Sequence, residues 1–308
     1  MLLMCKNTPV YNIDTEMVYN AALLPGYMMK NPCKATFKAW LKLRYSSNTN
    51  SLARQLKGVV FGQGNRVVID KTTHIFSLSD CYWVKYDNDL TTFEMISPYY
   101  TDFWKGTGIY SKGTAIPTLY VGGYLNKEWS SVSYLYKYGD GLEIEAEVSR
   151  LCRLCSIPVA NVEVIDGGVK ILNFTNPDLM LEQADQSGRI DPDDFDENSI
   201  AELFGKSGIQ MLVIDAIVGN GDRHAGNFGW LRDTDTGAYV SQAPLYDFDH
   251  ALDGKSDMDR LIQDAVKAVK KYGFTDEALR IADIIKQNTK NDIFIRRAVS
   301  LSELLVLV

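Results

Sequence analysis

The sequence predicts an α+β fold of two lobes, a mixed α/β N-terminal lobe followed by a mainly helical one. Three observations predict it. Strand-like runs at Leu119–Tyr124, Val132–Lys137, Val159–Val164 and Val169–Phe174 fall before residue 176. Beyond residue 200 most of the chain follows a helical period. The length, 308 residues, is about twice that of a common domain. With 46% apolar and 23% charged residues, the chain has a globular composition and needs no disulfide or metal staples. The expected division is residues 1–176, with an N-terminal extension over about 1–75, and residues 177–308.

Charge narrows the partners. Lys and Arg number 32 against 39 Asp and Glu, a net charge of −7. A nucleic-acid coat or a polybasic membrane binder carries the opposite sign, so neither partner is expected. The longest apolar stretches, Met211–Ile214 with Ala216–Val218 and Leu304–Val308, fall short of the roughly 18 residues of a membrane span. Lys6 and the short run Leu2–Cys5 make residues 1–10 a poor signal peptide. Five cysteines form no regular framework, which fits reduced thiols and a cytoplasmic location. Cys152 and Cys155 lie within a helical pattern without a second pair, so they read as core thiols; zinc needs four ligands.

In chain order, Lys34–Arg44 reads as an amphipathic helix with Phe37, Trp40 and Leu41 on one face. Ser51–Val60 reads as a second helix and Arg66–Asp70 as a short strand. Phe76–Lys85 and Leu90–Met95 read as extended or irregular. Glu143–Ser156 is helical and stops at Ile157-Pro158. Val159–Val164 and Val169–Phe174 form a hairpin across Asp166-Gly167-Gly168. Over residues 178–198 eight acids stand against Arg189, which reads as a solvated acidic loop. Ile200–Val218 reads as one buried helix, and Phe228–Arg232 with Ala238–Val240 as a hairpin. From Asp257 onward the pattern is helical.

Two segments concentrate chemistry. Val218–Trp230 (VGNGDRHAGNFGW) follows the buried helix, and Pro244–His250 (PLYDFDH) follows the hairpin. Phosphoryl transfer from ATP needs a carboxylate to orient the attacking hydroxyl, with a second carboxylate and an amide oxygen to hold Mg²⁺ on the phosphates. Asp222 and Asn227 have the D-x-x-x-x-N spacing of a kinase catalytic loop, and Asp247-Phe248 stands where a kinase has its metal-binding D-F-G.

GNGDRHAGNFGWLRD and APLYDFDHAL resemble the HipA-like kinases, including the CtkA-type members. The loop is also similar to the G-D-R-H-x-x-N of phosphoinositide kinases. SLSDCYWVK, LYVGGYLNKEW and YLYKYG with the helix after it extend the resemblance over roughly residues 75–255. It implies a protein-kinase-like bilobal fold with ATP and Mg²⁺ between the lobes. It implies Asp222 as catalytic base, Asn227 and Asp247 as Mg²⁺ ligands, and His224 as a loop-ordering residue. Lys137 becomes the strand lysine on the ATP phosphates, paired with Glu145 or Glu147. Gly122 and Gly123 bring backbone amides to the phosphates, with Lys127 as a further cation; adenine docks at Asn173–Asn176, including Phe174.

The expected activity is transfer of the γ-phosphoryl to a Ser or Thr hydroxyl of a protein, with autophosphorylation. The source implied is bacterial or phage-derived, with an antitoxin-like partner encoded elsewhere. Three departures stand out. Gly226 replaces a lysine of HipA, as in CtkA-like members; Asp249 replaces the glycine of D-F-G; and Tyr120 occupies the place of a regulatory serine. Two other readings use the same residues. One is an ATP-binding pseudokinase or scaffold. The other is a phosphoester hydrolase with a metal on Asp222, His224, Asp247, Asp249 and His250.

Overall fold

The computed structural model describes residues 1–44, 75, 77–100, 126–191, 195–252 and 258–307. The expected helix at Ser51–Val60 and the expected strands at Arg66–Asp70 and Leu119–Tyr124 lie outside the described residues. The chain forms two compact units, and each is built from three separate segments. One holds Met1–Tyr138, Asn173–Arg189 and Gly229–Ser241; the other holds Gly139–Leu172, Ile190–Phe228 and Gln242–Val308. The sequence expectation is a single boundary near 176; a linear pattern carries no record of a later hairpin pairing with the strand at Leu179–Gln183.

In the first unit, β1 (Leu2–Cys5) pairs antiparallel with both β2 (Thr8–Asn12) and β3 (Tyr82–Lys85). After the single turn α1 (Gly26–Met29), helix α2 spans Lys34–Arg44 and buries Phe37, Trp40 and Leu41, the face its period predicts. Phe37 meets Tyr11 and Trp40, and Trp40 meets Tyr82 edge-on at 5.4 Å. Aromatic rings in such contacts add to the burial of their large apolar area. At the helix end Arg44 clamps Asp80 through two hydrogen bonds of 2.8 and 2.7 Å. Phe93–Ile96, expected to be irregular, forms the single turn α3. The hairpin β4 (Asn126–Ser131) and β5 (Tyr134–Tyr138) follows.

The acidic stretch is corrected by the structure. Part of it is β8 (Leu179–Gln183), which pairs antiparallel with β9 (Gly229–Asp233); β10 (Tyr239–Gln242) lies on the other side of β9. Glu182 is buried, not solvated, and accepts a 2.8 Å hydrogen bond from Arg232, whose side chain is fully enclosed. Arg232 also donates to the carbonyls of Ala22, Leu24 and Gly237. A buried charge survives only when paired and hydrogen-bonded, and here both conditions are met. Gly237 takes φ +73° in the β9–β10 turn, and a Cβ there would stand 1.9 Å from the Ala22 carbonyl. Only glycine fits.

The second unit begins with α4 (Glu143–Leu154) and the hairpin β6 (Val162–Ile165) and β7 (Gly168–Leu172). Gly167 makes its turn at φ +72°, as the Asp-Gly-Gly signal predicts. Cys152 and Cys155 are buried free thiols; burial pushes Cys155 up to about 11 and Cys152 higher. The single helix expected over Ile200–Val218 is two, α5 (Glu197–Phe204) and α6 (Lys206–Val218). Gly205 breaks them at φ +55°, while a capping box on Asp196 starts the first. Helix α6 is buried from Gly208 to Val218, so no polar face survives. It packs against α5, α7 (Met258–Tyr272), α8 (Thr275–Asn288) and α9 (Asp292–Val306). Among the described residues no helix is long and apolar enough to cross a membrane.

Candidate active site

Helix α6 ends on Gly219 at φ +69°, and the polar loop starts from that rigid base. Asp215 is the one acid in the apolar run Met211–Val218. Its carboxylate accepts from Arg223 at Nε and Nη2, both at 2.9 Å, and from Asn220 Nδ2 at 2.9 Å. The remaining guanidinium nitrogen of Arg223 donates to the carbonyls of Asn227 and Tyr246, each at 2.8 Å. The guanidinium also lies 4.8 Å from the centre of the Phe248 ring. One buried cation thus fastens the Asp222–Asn227 loop to the residue before Asp247. Tyr246 adds a second tie, its hydroxyl donating to the Gly226 carbonyl at 3.0 Å.

Within the loop, Asn227 is buried and its Nδ2 donates to the Asp222 carbonyl at 3.2 Å. That leaves its amide oxygen as the atom it can offer a cation. The Asp222 side chain is half exposed, with His250 Nε2 3.7 Å from its carboxylate. His224 is exposed, and its Nδ1 accepts from the Gly226 amide at 3.0 Å. The histidine closes the turn locally, and Arg223 connects that turn to the rest of the unit.

Asp247 sits at φ +62°, a region that non-glycine residues rarely occupy. Such backbone persists when the surroundings hold it, and here Leu245 is bonded both ways to the segment after α4. Ala160 donates to Leu245 at 2.8 Å, and Leu245 donates to Pro158 at 2.9 Å. Glu145 of α4 is 1% exposed and accepts from the Phe248 amide at 3.4 Å. Glu147 turns elsewhere: Arg150 and Thr289 bond its carboxylate and hold it below the usual range. Of the two glutamates, Glu145 is the one that reaches the Asp247 turn.

The donors that Asn227 and Asp247 offer are hard oxygens, one amide and one carboxylate. Mg²⁺ favours that chemistry, taking one or two carboxylates together with substrate phosphates. Among the described residues no group of three or more His, Cys, Asp or Glu side chains is arranged to hold a metal by itself.

In the other unit, Lys127 and Lys137 are direct partners in the β4–β5 register, on one face, 6% and 3% exposed. Asn173 is used up structurally: its Nδ2 donates to Val132 and Tyr99, and its Oδ1 accepts from Thr175 twice. Phe174 beside it is half-buried. Gly122 and Gly123 lie outside the described residues.

Sequence reasoning places Arg223 in the chemistry-bearing segment without a role, and it missed the Glu182–Arg232 pair. A signal existed for the first. A lone acid in an apolar helix must find a cation, and Arg223 is the first arginine after it.

No family model matches the chain, and no curated protein does. Solved structures do. HipA of Shewanella oneidensis MR-1, determined with HipB and its operator DNA, aligns at TM-score 0.51 and 14% identity, over 99% of this chain and 96% of that one. CtkA, a proinflammatory kinase of Helicobacter pylori, aligns at TM-score 0.37 and 17% identity, over 58% of this chain and 90% of that one. At these identities the likeness is one of architecture, and the chain therefore carries the fold of the HipA-like kinases.

Proposed function

We propose that the chain is an ATP- and Mg²⁺-dependent kinase that transfers the γ-phosphoryl to a Ser or Thr hydroxyl of a protein, its own included. The observation that carries this reading is the Arg223 hub, which ties the Asp222–Asn227 loop to the Asp247 turn. In it Asp222 orients the acceptor hydroxyl and takes its proton; its half-exposed carboxylate is open to an incoming protein. Asn227 and Asp247 would hold a magnesium ion, which would supply charge neutralisation for the transferring phosphoryl. Lys137, Lys127 and the amides at Gly122 and Gly123 take the phosphates, and Glu145 is the helix glutamate assigned to Lys137. His224 keeps the catalytic turn closed, and adenine is placed near Asn173 and Phe174. A bacterial cytoplasmic setting belongs to the same proposal. So does an antitoxin-like partner, by analogy with the HipB that accompanies HipA in its complex.

Intact mass after incubation with ATP and Mg²⁺ tests the reading, with Asp222→Ala treated identically. A phosphoryl increment in the wild type alone supports a kinase. ATP binding without transfer to itself or to a mixture of Ser/Thr peptides makes the chain a pseudokinase.

A further inference from the structure

Asp222 is asked to orient a hydroxyl, yet its own side chain is loosely held. It is half exposed, and among the described residues no hydrogen bond reaches its carboxylate. Its backbone carbonyl, by contrast, accepts from Asn227 Nδ2 and from the His224 amide. The loop is fixed as far as the Asp222 backbone, and the carboxylate beyond it can still turn. A general base works only while its oxygen stays within hydrogen-bond reach of the proton it takes.

The ion-pair partner of that carboxylate is His250, whose Nε2 lies 3.7 Å from Asp222 Oδ2. Backbone contacts bring the two together. Asn220, on the approach to Asp222, and Ala251, the neighbour of His250, form an antiparallel bridge, and both are buried. On the other side of His250, Phe248 is buried with its ring against the Arg223 guanidinium. The Phe248 carbonyl accepts from the Ala251 amide at 3.0 Å. His250 therefore sits in a short turn fixed at both ends, with its side chain 39% exposed beside Asp222.

We propose that His250 is a positioning residue for Asp222. Its Nε2–H donates to one carboxylate oxygen and leaves the other turned to the acceptor hydroxyl. The inference rests on the kinase reading above, which makes Asp222 the base. The proton taken from the hydroxyl goes to the free Asp222 oxygen, and His250 keeps its own. A separation of 3.7 Å exceeds a hydrogen bond, but contacts of this kind are often long before the reacting complex forms and tighten in it. The donor needs a proton on Nε2, which one of the two neutral tautomers supplies, and no positive charge. A neutral amide in the same place serves equally.

Two measurements on the full chain test this. Transfer is followed by mass as Mg-ATP is varied, on the chain itself and on a mixture of Ser/Thr peptides. His250→Phe is expected to lower kcat about tenfold and to leave KM for Mg-ATP unchanged. His250→Gln, whose amide nitrogen also donates, is expected to keep at least about half of wild-type kcat. Wild-type kcat in His250→Phe, a loss that glutamine does not restore, or a change confined to KM overturns the proposal. The second measurement needs no activity. Imidazole ¹⁵N shifts at about pH 9, above the ordinary histidine range, report the tautomer, and His250→Gln identifies the signals. Wild type is expected at the limiting Nε2–H shifts, and Asp222→Ala at a mixture of tautomers. Identical shifts in the two proteins overturn the contact, whatever the transfer assay shows. The limiting tautomer in a wild type that transfers nothing supports the contact and overturns the kinase reading.

Discussion

Arg223 and Asp215 form a two-point ion pair, each side chain only 6% exposed, at the root of the Asp222–Asn227 loop. The pair converts the end of a buried helix into a platform for two loops, since the same guanidinium also takes the carbonyls of Asn227 and Tyr246. Both partners are satisfied, so the burial is tolerated.

Removing one partner strands the other. Arg223→Ala is expected to lower stability by about 3–5 kcal/mol, read from urea unfolding. Arg223→Lys keeps the charge but loses the planar fork, so it recovers only part of that loss. An Arg223→Ala protein as stable as wild type would remove the hub from the account.

Asp222 and Asp247 separate by function. Asp222→Ala is expected to abolish phosphoryl transfer, a fall of at least about a hundredfold, and to leave ATP affinity near wild type. Asp247→Ala is expected to weaken ATP binding only when Mg²⁺ is present. Calorimetric titration of ATP with and without Mg²⁺ distinguishes them. Full transfer by both variants sinks the assignment.

Asp185 carries a pH dependence. Burial pushes its carboxyl up to about 7, against backbone hydrogen bonds that pull it down, and its Oδ1 is unpartnered among the described residues. An unfolded aspartate titrates near ~3.9. Between these values the native chain holds a proton that the unfolded chain has released, so stability falls as pH rises from about 4 to about 7. Asp185→Asn is expected to flatten that slope and to stabilise the protein at pH 8 by roughly 2–4 kcal/mol. Parallel slopes for the two proteins would contradict this.

Cys33 is the thiol to react first. It is partly exposed at the start of α2, where the backbone amide and hydroxyl of Thr36 lower its pKa. The other four cysteines are buried, and burial raises their thiols, Cys5 to about 12 and Cys155 to about 11. Iodoacetamide at pH 7.5 is expected to label Cys33 well before the rest, mapped by peptide mass. Equal labelling of Cys33 and Cys152 would refute the order.

Local signals were legible. The α2 face, the Asp-Gly-Gly hairpin and the stop at Ile157-Pro158 all depend on residues a few positions apart, and the structure realises them within about three residues. The break at Gly205 was harder to see, since apolar residues on both sides continue one another and glycine alone does not dictate its φ. For the same reason the turn at Asp247 could be named but not its left-handed backbone.

The sequence by itself determined the α+β character, the helical second half, and the residue types that candidate phosphoryl chemistry needs. Tertiary structure alone decided which charges are solvated and which are buried. Glu182 and Arg232 stand 50 residues apart and meet only because β8 pairs with β9. Glu145 and Glu147 differ by two positions on one helix, yet one faces Phe248 and the other Arg150 and Thr289. A carboxylate's environment is set by what packs against it from elsewhere in the chain. Composition and periodicity count the acid without recording that neighbour.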